Sequence, residues 1–79
     1  MDNRTKAQLG VELIKEAILN ELSAGPLTHA AIVNRLDISS DFEGEHRNYL
    51  SWSILGLLVG EGLVGYQGER QAKEFFIKK

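Results

Sequence analysis

The pattern of apolar and polar positions predicts three helices and a C-terminal β-hairpin. Three segments have the apolar pattern typical of helices, and two apolar runs near the C-terminus have the pattern typical of strands. The predicted order is helix, short strand, helix, helix, strand, strand, over about 5–23, 26–27, 28–36, 47–61, 63–67 and 73–77. A polar turn at 68–72 joins the last two strands. The pattern therefore predicts an α+β fold.

Residues typical of helix ends mark the boundaries of these segments. Thr5 or Asn3 can cap the first helix, and the Ala-Gly-Pro sequence at 24–26 ends it. Thr28 is expected to cap the second helix, because its hydroxyl can accept from an amide two or three residues on. Gly62 can adopt the left-handed conformation that ends the third helix.

The first helix has more apolar surface than one buried face requires. On a helical wheel, half of the circumference is filled by Val11, Leu13, Ile14, Ala17, Ile18 and Leu22. Leu9 and Leu19 fall outside that half, one on each flank. A globular helix needs an apolar stripe of only somewhat more than about 100°. Either the hairpin or the C-terminal tail covers the excess, or two copies of the chain dimerise through this helix.

The third helix is apolar nearly all round. We expect its core face to contain Leu50, Ile54, Leu57 and Leu58. The opposite face then presents Asn48, Tyr49, Trp52, Gly56 and Val59. Trp52 is expected to lie in the core, since Trp is mostly buried on average. The alternative is an aromatic anchor in a protein interface, where Trp and Tyr are enriched.

The connection between the second and third helices, about 37–46, is longer than a tight helix–turn–helix turn. Such a turn takes about three or four residues, whereas this segment has about ten and is rich in Ser, Asp, Glu and Gly. Ile38 and Phe42 are expected to anchor it to the core. In the hairpin, the two-residue alternation of a strand points Phe75 and Ile77 inward and Phe76 outward or against a partner.

Composition narrows the class of protein. The chain has 79 residues, no cysteine and a formal net charge of −2, so it predicts one small domain over 1–79, with an ordered core at about 5–77 and no disulfide or thiolate metal site. No segment approaches the roughly 20 apolar residues of a membrane span. A cytoplasmic location is the expectation. We expect no enzyme and no cofactor, because no nucleophile, carboxylate pair or metal cluster is apparent.

One short motif carries a resemblance to a known superfamily. Leu58, Gly62, Leu63 and Val64 occupy the positions of the "leucine, three residues, glycine, leucine, valine or isoleucine" step that resembles bacterial winged helix–turn–helix regulators. More narrowly, Asn48 and Trp52 resemble the asparagine and tryptophan of the N-terminal winged-helix domain of Mrr-type restriction endonucleases. The register slips by one residue between Trp52 and Gly62. The resemblance implies a winged helix–turn–helix fold with three helices and an antiparallel hairpin wing.

Two functions follow from this resemblance and these residues. The first is a small DNA-binding transcriptional regulator or accessory factor that contacts double-stranded DNA through Arg47, Asn48, Arg70 and Lys73 and dimerises through the first helix. The second is a protein-interaction module that docks a partner or a second copy through Tyr49, Trp52 and Val59 and does not bind DNA. The net charge and the apolar third helix favour the second, whereas most winged helices bind DNA.

Overall fold

The computed structural model describes residues 1–42 and 46–78, with the backbone alone at residues 42, 46, 47 and 71. The helices of this part are α1 (Asn3–Leu22), α2 (His29–Leu36) and α3 (Tyr49–Gly60), together with a 3₁₀ turn at Arg70–Ala72. Its strands are β1 (Leu27–Thr28), β2 (Asp41–Phe42), β3 (His46–Arg47), β4 (Val64–Gln67) and β5 (Glu74–Ile77). The predicted α+β class, with three helices and a small antiparallel sheet, is confirmed. Neither α1 nor any other described helix has the length and apolar character needed to cross a bilayer.

The hairpin belongs to a three-stranded antiparallel sheet in the order β1-β5-β4. β5 is the central strand, with Phe75 opposite Leu27 of β1 on one side and opposite Tyr66 of β4 on the other. Phe75 is buried and Ile77 is half-buried, as the alternation predicts. Phe76 lies opposite Gly65, and a Cβ added at Gly65 would lie 2.8 Å from Cζ of the Phe76 ring. The outer face of the hairpin is therefore covered by its own aromatic residue.

The helix ends follow the predicted chemistry at two of three places. The hydroxyl of Thr28 accepts from the amide of Ala31 at 3.2 Å, as predicted. Gly62 has a φ of 77° and donates to the Val59 carbonyl, and the next amide donates to the Leu58 carbonyl, which closes α3 in a Schellman motif. The prediction for α1 was wrong. Its cap is Asp2, whose carboxylate accepts from the Thr5 amide at 2.8 Å, and this hydrogen bond lowers the Asp2 pKa.

One apolar core lies between the helices and the sheet. It consists of Ile18, Leu22, Ile32, Ile54, Leu55, Leu58, Val64 and Phe75. Beside it, the Lys15 ammonium hydrogen-bonds Glu61 at 2.9 Å and Glu12 at 3.2 Å, and these contacts raise the Lys15 pKa. Leu13 belongs to the apolar surface that exceeds the need of the core, because its side chain is 56% exposed. α1 therefore packs one side, which includes Ile18 and Leu22, on the core and leaves Leu9 and Leu13 in solvent.

The core face of α3 is rotated from the predicted one. Leu50 and Leu57, both assigned to the core, are exposed, and their places are taken by Ser51 and Leu55. The error has a physical reason: an apolar residue at almost every position gives no amphipathic signal from which to read the buried side. The start of α3 also differs, because the helix begins at Tyr49 and not at Arg47.

The connection between α2 and α3 contains the short antiparallel pair β2–β3, with Asp41 opposite Arg47. α2 is followed by its C-cap residue Asp37, which has a left-handed backbone with a φ of 52°. Ile38 is half-buried, in agreement with an anchoring role. The side chain of Phe42, the other predicted anchor, lies outside the described part.

A pair of adjacent leucines tests the rotated face of α3. Leu58→Ala removes a fully buried side chain and is expected to lower the free energy of unfolding by about 3 kcal/mol. Leu57→Ala, at a position 46% exposed, should lower it by less than about 1 kcal/mol. Urea denaturation followed by circular dichroism measures both. Equal losses in the two variants would contradict the assignment.

Candidate nucleic-acid interface

The connection before α3 caps the start of that helix. The amide of Tyr49 donates to the Ser40 carbonyl at 3.0 Å, and the amide of Leu50 donates to the Ser40 hydroxyl at 3.0 Å. The amide of Asn48 donates to the Asp41 carboxylate at 3.2 Å, while the Asn48 side-chain oxygen accepts from the Ser40 amide at 3.4 Å. These bonds satisfy amides that a helix start otherwise leaves free. Asn48 has a left-handed φ of 56°, which Asn tolerates well.

A buried polar contact joins α2 to α3. The Nε2 atom of His29 lies 2.6 Å from Oγ of Ser51, and that hydroxyl donates to the Asn48 carbonyl at 3.1 Å. Because a serine hydroxyl has one proton, Nε2 of His29 is the donor in this pair. Burial lowers the His29 pKa, so the ring is neutral at neutral pH. His29 is thus a link between the two helices.

The His29–Ser51 pair does not have the geometry of an accessible nucleophile. A histidine that receives the proton of a serine can activate it, but Ser51 is 0% exposed. No substrate carbonyl can reach an oxygen that is fully enclosed. Among the side chains that the structure describes, no three from His, Asp or Glu lie close enough together to hold a metal ion.

An aromatic cluster, formed by His29, Trp52, Tyr66 and Phe75, connects α2, α3 and the sheet. The Trp52 ring centroid lies 5.2 Å from that of His29 and 6.1 Å from that of Phe75, the latter in an edge-to-face arrangement. Tyr66 and Phe75 are also 6.1 Å apart. Trp52 is nevertheless 50% exposed. The expectation of a core tryptophan was therefore wrong: part of the side chain packs on the cluster and the rest faces solvent.

Two basic residues approach this cluster from the turn between β4 and β5. The Lys73 ammonium lies 4.5 Å from the Tyr66 ring centroid and 5.8 Å from that of Trp52. These are cation–π distances, and such contacts are each worth about 0.5–1 kcal/mol at exposed sites. Arg70 is exposed and has a φ of 53°. The turn therefore presents one cation held over aromatic rings and a second in solvent.

A concave surface, called the basic depression below, brings together residues that are distant in sequence. It has a volume of about 610 Å³. Its lining consists of His29, Ala30, Asn48, Trp52, Arg70, Lys73 and Phe75. Three of the four residues predicted to contact DNA thus share one surface. The fourth, Arg47, has a side chain outside the described part.

A smaller concavity, called the apolar groove, lies beside the basic depression. It has a volume of about 230 Å³. It is lined by Trp52, Leu55, Gly56, Val59, Tyr66, Lys73 and Phe75. Of the residues predicted for protein docking, Trp52 and the half-buried Val59 line this groove, and Tyr49 lies on the exposed side of α3. The two concavities share Trp52, Lys73 and Phe75, so the residues predicted for the two functions lie on adjoining surfaces.

Sequence reasoning missed the contributions of His29 and Tyr66. Tyr66 could have been found from the strand alternation, which places it on the same side of the sheet as the buried Val64. The role of His29 had no sequence signal, because Ser51 is 22 residues away and the contact exists only once α2 and α3 pack. Ser40 and Asp41 had only the weak signal of polar residues before a helix.

Comparisons with known proteins place the chain in no family. No protein-family model matches it, and neither a curated protein nor a solved structure shows significant similarity.

The buried imidazole of His29 predicts a pH dependence of stability. Its folded-state pKa lies below the ordinary value of 6.5, so the unfolded chain binds a proton first as pH falls. The stability is complete above pH 6.5 and decreases below it. Thermal unfolding followed between about pH 7.5 and 5.5 should show this loss, and His29→Gln should reduce it.

The chain has a second histidine, His46, so the difference between wild type and His29→Gln is the informative quantity. Asp2 does not interfere, because its lowered pKa places its contribution below about pH 3.8. A His29→Gln variant with the same pH dependence as wild type would assign the effect elsewhere.

Proposed function

We propose that this chain is a winged helix–turn–helix protein that binds double-stranded DNA through the basic depression. The order of its helices and strands fits that fold, with β4 and β5 as the wing and β2–β3 as an addition before α3. The sequence resemblance at Leu58, Gly62 and Leu63 supports the same assignment. The proposed role is that of a small transcriptional regulator or accessory factor.

The observation that carries the proposal is the charge of the basic depression. Arg70 and Lys73 contribute positive charge to its lining, and none of the described residues that line it is a carboxylate. The net charge of −2 is therefore no obstacle, since a concave surface of one sign concentrates its own field on the ligand that enters it. A negatively charged backbone with regular phosphate spacing is the ligand that such a surface favours.

The backbone of Arg70 gives independent support. A left-handed conformation costs a residue other than Gly, Asn or Asp about 1 kcal/mol or more, and Arg70 has it at a φ of 53°. A glycine there would avoid that cost but would provide no charge. Strained residues cluster at functional sites, and an exposed guanidinium at the tip of a wing is placed to contact phosphate or the minor groove.

The proposed binding is dominated by phosphate contacts. Arg70 and Lys73 supply the charge. When DNA binds, the Lys73 ammonium gives up its cation–π contacts with Tyr66 and Trp52 and pairs with a phosphate. The amides of Asn48, Tyr49 and Leu50 are already bonded to Ser40 and Asp41, so the start of α3 offers few donors to a base edge. The proposal therefore includes weak discrimination between DNA sequences.

Neutralising the two cations tests the proposal. Arg70→Ala combined with Lys73→Ala should weaken binding to every duplex sequence by a similar factor, because phosphate contacts carry no sequence information. The slope of log K against log salt should fall by about 1 for each lost contact. Binding can be followed by titrating the protein with DNA and recording the fluorescence of Trp52, which is the one tryptophan of the chain and lines the depression.

Arg4→Ala is the matched control, because Arg4 is an exposed cation of α1. It should leave affinity and salt slope unchanged. Equal losses from Arg4→Ala would mean that attraction is diffuse and the basic depression is not the site. No binding by the wild type at low salt would refute the proposal.

The apolar groove favours a second function, docking of a protein partner. The exposed rings of Trp52 and Tyr66 flank the groove, and the adjoining surface of α3 is formed by Gly56 and Val59. Exposed aromatic residues around an apolar concavity are typical of interface anchors. On this proposal, Lys73 at the rim pairs with a carboxylate of the partner.

Two glycines of α3 allow the groove to be blocked without disturbing the fold. A Cβ at Gly56 or at Gly60 meets nothing within 4 Å, but only Gly56 lines the groove. Gly56→Gln should abolish partner capture in cross-linking of a native extract, whereas Gly60→Gln should retain it. The same captured proteins with both variants would exclude the groove as the docking site.

A further inference from the structure

The outward side of α1 carries an exposed stripe that the core does not use. Leu9 and Ile18 are nine residues apart, which is about two and a half helical turns, so they point in opposite directions. Ile18 is 0% exposed, whereas Leu9 is 45% and Leu13 is 56% exposed. A second apolar side on a helix that already packs against its own core indicates a further contact.

The stripe has the spacing of a coiled-coil seam. It consists of Lys6, Leu9, Leu13, Glu16 and Asn20, all of them exposed. The intervals alternate between three and four residues, as the two seam positions of a heptad do. Two leucines lie at the middle, with a cation towards one end and a carboxylate towards the other. In the described part of the chain, neither Lys6 nor Glu16 forms an ion pair.

We propose that a second copy of this chain packs against this stripe, with the two α1 helices antiparallel and related by a two-fold axis near position 11. In that register Leu9 lies opposite Leu13 of the second copy, and Lys6 lies opposite Glu16. Each contact occurs twice, because a two-fold interface uses the same surface on both copies. The proposal concerns a surface separate from the basic depression and does not depend on DNA binding.

Charge decides the direction of the helices. A parallel pair in register would place Lys6 against Lys6 and Glu16 against Glu16, and like charges at a seam oppose association. The antiparallel register converts both into opposite-charge pairs and still packs leucine on leucine. The apolar contact is small, so the dimer is a weak and reversible one at the lower end of interface sizes.

Sedimentation equilibrium of the full chain, up to about 1 mM, is the first measurement. A monomer–dimer equilibrium is expected, and Leu13→Gln should weaken it by about tenfold or more. Leu57→Gln is the matched control at an exposed leucine of α3 and should leave it unchanged. A wild type that is monomeric throughout, or a Leu13→Gln variant as dimeric as wild type, would overturn the proposal.

Charge exchange tests the register. Lys6→Glu alone should raise the dimer Kd by about tenfold, because it makes both charge pairs repulsive. Lys6→Glu with Glu16→Lys should restore the Kd to within about twofold of wild type. Circular dichroism verifies that helix content is equal in all variants. Single variants that weaken the dimer without rescue in the double variant would refute the antiparallel register.

Disulfide trapping gives a second readout that does not depend on affinity. The chain has no cysteine, so each variant contains one cysteine, and any disulfide must join two copies of the chain at the chosen positions. A mixture of Leu9→Cys with isotope-labelled Leu13→Cys should cross-link mainly between the two variants, since these positions face each other in the proposed register. Preferential linking of Leu9→Cys to itself would instead indicate parallel helices. Capture of a different protein in place of the second copy would also overturn the proposal.

Discussion

The buried ring of Phe75 is the contact on which the arrangement of this molecule depends. Phe75 lies in the central strand of the sheet, opposite Leu27 on one side and Tyr66 on the other. The centroid of the same ring lies 6.1 Å from that of Trp52 of α3, with the two rings nearly perpendicular. The two neighbouring strands and the third helix thus all meet at one side chain. Both the basic depression and the apolar groove include it in their lining.

The two sides of the molecule differ in chemistry. The surface of α3 and the hairpin combines exposed aromatic rings with two cations, while the outer side of α1 carries two leucines between opposite charges. A small domain cannot bury all of its apolar residues in one core, because its surface is large relative to its volume. A small domain therefore gains stability when a partner covers the apolar residues that its own core leaves exposed. The proposals for DNA, a protein partner and a second copy each assign an occupant to such a surface.

The sequence predicted the positions of the helices and strands better than it predicted which side of each is buried. The helices, the hairpin and the caps at Thr28 and Gly62 follow from local signals, because each needs only a few neighbouring residues. α3 shows the limit of this reasoning. Since it is apolar at most positions, its composition fixed that it would pack but not which side, and Leu50 and Leu57 were assigned to a core that contains Ser51 and Leu55 instead.

What the sequence by itself determined is therefore the order of elements and the chemical types available for binding. Asn48, Arg70 and Lys73 were candidates from their positions in helix and turn alone. Only the tertiary structure decided that they share one concave surface, that Trp52 is half in solvent, and that His29 is bonded to a buried Ser51 22 residues away. The reason is physical: capping and turn formation depend on residues adjacent in the chain, whereas burial and local charge depend on how distant segments pack.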